Sequence, residues 1–283
     1  MIKISRLSHK DQFFKPYRSE TLKKKVRSCA KTQGHFTCGP LIPYMNTLNP
    51  RCNTCRVRNC SVLSNCPADI LEKLSDNKKY LYFQKGEHLL KEGEHEGDIY
   101  FIRSGIAKVE VTGKNGRPLI LRLAGTGSVL GHRACHGDME QPLSAVAVEN
   151  VYACCISPAI YNQLTEKSAW LHNAMIQSLL DEMRQVELHA VRLTHLSVKE
   201  RVADTLLHIA KLYQYRPGSN GIHVHMERQD LADLSGTTRE QVSRMLTELE
   251  KEGLVKFRRK HFKYFDLCGL QRIAALHQEV LHA

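Results

Sequence analysis

No uninterrupted apolar run of about 18 residues occurs in the chain, so the sequence offers no transmembrane helix and no membrane partner is expected. The opening stretch MIKISRLSHKDQFFKPYRSE is basic but lacks the apolar segment of a secretory signal. Catalytic patterns are missing too. There is no G-x-x-x-x-G-K-[ST] phosphate loop, no G-x-G-x-x-G following a strand, no paired carboxylates and no Ser/His/Asp set. These absences speak against an enzyme and leave the expectation of a soluble cytoplasmic protein.

What is present is ordinary in bulk and unusual in its distribution. The 283 residues, 42% hydrophobic and 25% charged, suffice for about two domains with real cores. The net charge of +12 is local: thirteen Lys/Arg face only Asp11 and Glu20 in residues 1–60, and the remainder is nearly balanced. Such an arm, with Lys23-Lys24-Lys25 at its centre, binds phosphates non-specifically or is simply solvated. Of ten cysteines, Cys52, Cys55, Cys60 and Cys66 fall within fifteen residues. In a reducing compartment this spacing favours metal or redox chemistry over a disulfide framework. Cys29, Cys38, Cys135 and Cys268 have no paired spacing and read as ordinary thiols, and His132 and His136 are assigned no role.

The chain divides into a basic arm (1–50), the cysteine cluster (51–67), a roll (68–167), a long helix (168–196) and a C-terminal domain (197–283). Pro67 opens a helix with Ile70, Leu71 and Leu74 on its apolar face. From Tyr80 to Ile156, short strand-like runs are broken by glycine at close intervals, which predicts an antiparallel roll, with a hairpin turn at Gly113-Lys114-Asn115-Gly116. The long helix carries Ile176, Leu179, Met183, Val186, Ala190 and Leu193 at alternating spacings of three and four, a seam suited to a symmetric homodimer. A further helix over 198–213 leads into the last domain.

In that domain, residues 228–266 predict a helix-turn-helix and a wing. Leu231 and Leu234 point inward, Gly236 makes the turn, and Thr237 or Thr238 caps the second helix. Val242, Met245, Leu246 and Leu249 form its buried stripe, leaving Arg239, Glu240, Ser243, Arg244 and Thr247 outward. Arg and Glu at such positions pair with guanine and cytosine edges in the major groove. The hairpin over 254–265 brings Arg258, Arg259, Lys260 and Lys263 to a tip fit for phosphate contact. The fold class expected is therefore α+β: an antiparallel β-roll, a long dimerisation helix and a winged helix-turn-helix.

This order of elements resembles the Crp/Fnr family of bacterial transcription regulators over residues 51–270. The resemblance is carried by Phe101-Ile102-Arg103-Ser104-Gly105 in the roll, Val198-Lys199-Glu200-Arg201-Val202-Ala203 at the hinge, and 231–244 in the reading element. Glu240, Ser243 and Arg244 match the E-x-x-S-R pattern of the Fnr branch, which implies double-stranded DNA with palindromic TTGA-like half-sites, contacts from Thr238, Arg239, Glu240, Ser243, Arg244, Arg258 and Lys260, and RNA polymerase as a partner. The cyclic-nucleotide branch carries a Gly-Glu pair and an Arg-Ser pair. Here those stretches read Gly131-His132-Arg133-Ala134 and Gln141-Pro142-Leu143-Ser144-Ala145, so the phosphate arginine is replaced by Leu143 and a cyclic nucleotide is disfavoured, with Arg133 the one candidate substitute.

Fnr-type sensors hold a 4Fe-4S cluster with three N-terminal cysteines and a fourth from the roll, which implies oxygen or redox sensing through a set drawn from Cys52, Cys55, Cys60, Cys66 and Cys154. One of the four N-terminal cysteines is then spare, Cys52 or Cys60 before Cys66. The alternative is a structural zinc on Cys52, Cys55, Cys60 and Cys66, in a regulator answering another small-molecule signal. An iron–sulfur redox enzyme is the third reading.

Overall fold

The computed structural model describes residues 50–95, 97–113, 116, 118–135 and 139–275, all within one compact unit, Cys38–Ala283. The basic arm, Cys29, Cys38, Lys114, Asn115 and His136 lie outside the described residues.

Two short 3-10 turns, Cys52–Thr54 and Arg56–Cys60, lead into helix α1 (Ala68–Asn77) behind Pro67. Ile70, Leu71 and Leu74 are its buried face, as the spacing predicts. Eight strands follow: β1 (Lys79–Phe83), β2 (His88–Leu90), β3 (Ile99–Ser104), β4 (Ala107–Thr112), β5 (Pro118–Ala124), β6 (Val129–Leu130), β7 (Ser144–Ala147) and β8 (Val151–Ile156). They form two antiparallel sheets, ordered β1-β8-β3-β6 and β2-β7-β4-β5. Alternation along the strands turns Ile102, Val109, Ala145 and Val151 into the space between them.

Helix α2 (Pro158–Lys167) and the long α3 (Ala169–His195) leave the roll, each capped by a serine, Ser157 and Ser168, that accepts a backbone N–H. Leu171 and Met175 of α3 pack in one core with Leu63, Cys66, Leu71 and Leu74, so the cysteine segment lies over the root of the long helix. Among the described residues, no helix is long and apolar enough to cross a membrane.

The C-terminal part begins with α4 (Val198–Leu212), entered through a reciprocal cap: the Ser197 hydroxyl accepts from Glu200 N–H, and Glu200 Oε2 accepts from Ser197 N–H at 2.7 Å. Ser197→Ala should cost about 1 kcal/mol of stability, read as a lowered urea midpoint. Beyond it come β9 (Ile222–His223), α5 (Arg228–Leu234), α6 (Arg239–Lys251), β10 (Val255–Arg258), β11 (His261–Phe265) and α7 (Leu267–Ala275). The predicted hairpin is present, but a third strand, β9, which the sequence reading did not include, completes its sheet. Ile106, Ile120, Leu123 and Val148 of the roll share one core with Leu231, Leu246 and Phe262 of this domain.

Candidate nucleic-acid interface and thiol cavity

Helix α6 starts at Thr238, whose hydroxyl accepts from Gln241 N–H. Val242, Met245, Leu246 and Leu249 are buried against α5 and α4, so the opposite face turns outward by helical geometry. On that face Thr238, Arg239, Glu240, Ser243, Arg244 and Thr247 are all exposed. Ser243 donates to the Arg239 carbonyl at 2.9 Å, which ties its hydroxyl to the helix until a base edge competes. Arg239, Glu240 and Arg244 are thus placed as the sequence predicted, on the first turns of an exposed helix whose N-terminal dipole favours phosphate.

The wing differs in one member. Arg258, Arg259 and Lys263 are exposed, but Lys260 is paired with Glu227, which also meets Lys85 of the roll at 3.4 Å. Lys260 is therefore engaged within the chain by an exposed ion pair, sharing the Glu227 carboxylate at the start of α5 with Lys85. Lys108 of β4 reaches Asp230 of α5 at 3.0 Å and Glu110 at 3.2 Å, a second ion pair from roll to reading domain.

The seam on α3 divides in two. Ile176 and Met183 are 43% and 53% exposed, and Leu180, which lies outside the predicted seam, joins them at 50%. Leu179 and Val186 are half-buried and Ala190 exposed. Leu193 departs from the expected seam: its methyl group lies against Gly236 of the helix-turn-helix turn, since α3 ends directly beside that turn. Arg201 fastens the junction. Its guanidinium donates to the carbonyls of Leu196 and Ser235 at 2.8 Å each, of Leu193 at 3.2 Å and of Gly236 at 3.3 Å. A fork of five donors meets four backbone acceptors here, a role no local spacing in the sequence announces.

The thiols gather on the other side of the roll. Cys52, Cys55 and Cys154 line one cavity of about 50 Å³, walled by Leu63, Leu74, Phe101 and Ile156. The physical basis is simple. Cys52 and Cys55 are three residues apart, the repeat of a 3-10 turn, and so share a face. Cys154 sits on β8 between Tyr80 and Phe101 of its neighbours, while Cys155 next to it takes the alternate face. Lys78 donates to Cys52 Sγ at 3.3 Å, and Lys78 and Arg103 draw down the Cys154 thiol, though burial prevails and pushes it up to about 11. Cys66 is buried behind Cys52, and burial together with Cys52 pushes it up to about 12.

Neither Cys60 nor Cys66 lines the cavity; Cys52, Cys55, Cys66 and Cys154 are free thiols. Among the described residues, no three Cys, His, Asp or Glu side chains converge on a point as a metal-ligand group. The donors suit an iron–sulfur cluster in kind: soft thiols only, apolar walls, and two cations to offset thiolate charge.

Comparison with known proteins agrees with this architecture. Residues 80–168 match the cyclic nucleotide-binding domain and residues 200–273 the Crp-like helix-turn-helix domain. The chain is 27% identical over 225 residues to the nitrogen fixation regulation protein FixK of Bradyrhizobium diazoefficiens, covering 79% of this chain and 94% of that one. It is 27% identical over 223 residues to the anaerobic regulatory protein of Haemophilus influenzae, covering 77% and 86%. The structure of FixK2 from Bradyrhizobium japonicum superposes with a TM-score of 0.62 at 21% identity, over 69% of this chain and 96% of that one, a likeness of fold.

Proposed function

Starting from a chain that belongs to the Crp/Fnr family of DNA-binding transcription regulators, which act as dimers and are not enzymes, we propose that this member senses oxygen or redox state through an iron–sulfur cluster held by Cys52, Cys55 and Cys154, which line the cavity, and by Cys66, buried near Cys52 but outside the lining. One observation carries the reading: thiols from both ends of the roll sequence, Cys52 and Cys55 before it and Cys154 on its last strand, line a single cavity. The similarity to an anaerobic regulatory protein supports the same reading. A zinc on Cys52, Cys55, Cys60 and Cys66 is the second reading, and it would leave Cys154 without a role in the cavity it lines.

When bound, such a cluster supplies an oxygen-labile tie among thiolates. The chain's own residues relay it. Leu63 and Cys66 pack with Leu171 and Met175, so an ordered cysteine segment backs the root of α3. The outer face of the same helix, Ile176, Leu180 and Met183, is open for the partner's copy. At the far end Arg201 holds the helix to the reading head. Holding the segment down therefore favours the dimer with two reading heads in register, a shift of population between states that already exist. RNA polymerase contact and palindromic TTGA-like half-sites belong to the same proposal.

Iron, acid-labile sulfide and zinc measured on protein purified without air test the sensor. About four iron and four sulfide per chain, with a visible band bleached by air and a weaker dimer afterwards, are expected. One zinc and no visible band would overturn the sensor and leave the regulator. For the DNA contact, Arg244→Ala should cost about 1–3 kcal/mol on the specific site and relax preference at one base pair. Equal loss on random DNA would show that Arg244 meets only phosphate.

A further inference from the structure

The roll carries a second buried cluster, distant in kind from the thiols. Glu182 of α3 is 6% exposed, an uncommon place for a carboxylate. Its Oε1 meets Arg122 of β5 at 2.8 Å, and its Oε2 meets Arg133 at 3.2 Å. The Arg122 and His132 side chains beside it are buried as deeply. Burial, with Arg122 and Arg133 close by, pushes His132 down to about 4, so the ring is neutral; burial raises the Glu182 carboxyl, and the guanidinia of Arg122 and Arg133 oppose that rise.

The location gives this cluster meaning. Gly131, His132, Arg133, Gln141, Leu143 and Glu182 line a cavity of about 20 Å³ together with Arg122. They belong to the stretches 131–134 and 141–145, which the resemblance to the family sets against the ligand-binding motifs of its cyclic-nucleotide branch. A cavity of that size holds about one water, whereas small-molecule sites run from about 300 Å³ upward. Several polar atoms face it without a hydrogen-bond partner: Arg122 Nε, both ring nitrogens of His132 and Gln141 Nε2. The polar members of an otherwise apolar pocket are thus anion-binding groups, and the carboxylate among them comes from the dimer helix.

We propose that Glu182 is an intramolecular ligand of the roll. Its carboxylate occupies the anion position between Arg122 and Arg133, closes the pocket to free nucleotides, and anchors α3 to the roll with no external effector. The face geometry makes the anchoring consequential. Glu182 is one residue from Met183, so fixing it against the roll also fixes the rotation of Ile176, Leu180 and Met183 on the outer side of the helix. The second arginine, Arg122, comes from β5, outside the stretches 131–134 and 141–145, so Leu143 alone misrepresents the pocket.

The inference rests on the dimer reading and not on the cysteines. Its test is chemical rescue of Glu182→Ala in the full chain, with formate as the probe and chloride of equal ionic strength as control. Sedimentation velocity should show the variant dimerising about tenfold or more weakly than the unaltered protein in chloride, since a buried guanidinium has lost its partner. Millimolar formate should restore most of that affinity and raise the melting temperature, while leaving the unaltered protein unchanged. Glu182→Gln, which fills the volume without the charge, should be weakened and not rescued. Calorimetry should detect no cyclic AMP binding to the unaltered protein. Full dimer affinity in Glu182→Ala, absence of a formate response, or submillimolar cyclic AMP binding would each overturn the proposal. If Glu182→Ala folds only with formate the proposal stands, and if it folds in neither anion the proposal falls. An unaltered protein that never dimerises would instead sink the dimer reading.

Discussion

Gly127→Ala is expected to lift the cysteine segment off the roll. Gly127 lies between β5 and β6 with φ of +90°, a region L-residues rarely enter. A Cβ there would strike the carbonyl oxygen of Cys60, and backbone cannot swing aside as a side chain can. The conformation alone costs about 1–3 kcal/mol, and the contact adds to it. Gly86 is the natural control, because its φ is +89° with nothing near a built Cβ. Gly86→Ala therefore carries the strain without the clash. Both variants should melt lower. Only Gly127→Ala should expose Cys52, Cys66 and Cys154 to a thiol reagent at a rate well above that of the unaltered protein. Equal reactivity in the two variants would mean that this close approach does not hold the segment.

Cys154→Ser should abolish iron uptake, while Cys60→Ser should leave it intact. Serine keeps the shape of the side chain but offers a hard, weakly acidic oxygen in place of a soft thiolate. Cys154 is the thiol that the roll contributes to the cavity lined by Cys52 and Cys55, and Cys60 does not reach that cavity. Iron in anaerobically prepared Cys154→Ser should fall from about four per chain to below about one, with no visible band and no change of dimer affinity on exposure to air. The opposite pattern, iron lost in Cys60→Ser and kept in Cys154→Ser, would place the ligands wholly in the N-terminal segment and remove the roll from the sensor. A melting temperature close to that of the unaltered protein would show that the loss is one of ligation and not of folding.

Much of the fold was legible from one sequence because it rests on local pattern. Glycine spacing marked the turns of the roll, an alternation of threes and fours marked the long helix, and Gly236 with Thr238 marked the helix-turn-helix. The outward set Arg239, Glu240, Ser243 and Arg244 followed from helical period alone, since Val242, Leu246 and Leu249 had to turn inward. The spacing of three from Cys52 to Cys55 likewise places both thiols on one side of a 3-10 turn.

Other features needed the assembled chain. Lys260 reads as a free cation until folding brings Glu227 beside it, and Leu193 reads as seam until α3 ends against Gly236. Cys60 and Cys55 look alike in one dimension, but only one of them faces the cavity. Glu182 looks like an ordinary surface acid of an amphipathic helix, and becomes a buried ligand only when β5 and the 131–134 segment deliver two guanidinia to it. Sequence determines what periodicity and backbone geometry can encode within a few turns: which elements form, which faces they bury, and which residue types stand on the open side. Partners drawn from distant segments are decided by tertiary packing, because the desolvation of a charge or a thiol depends on every element that closes around it.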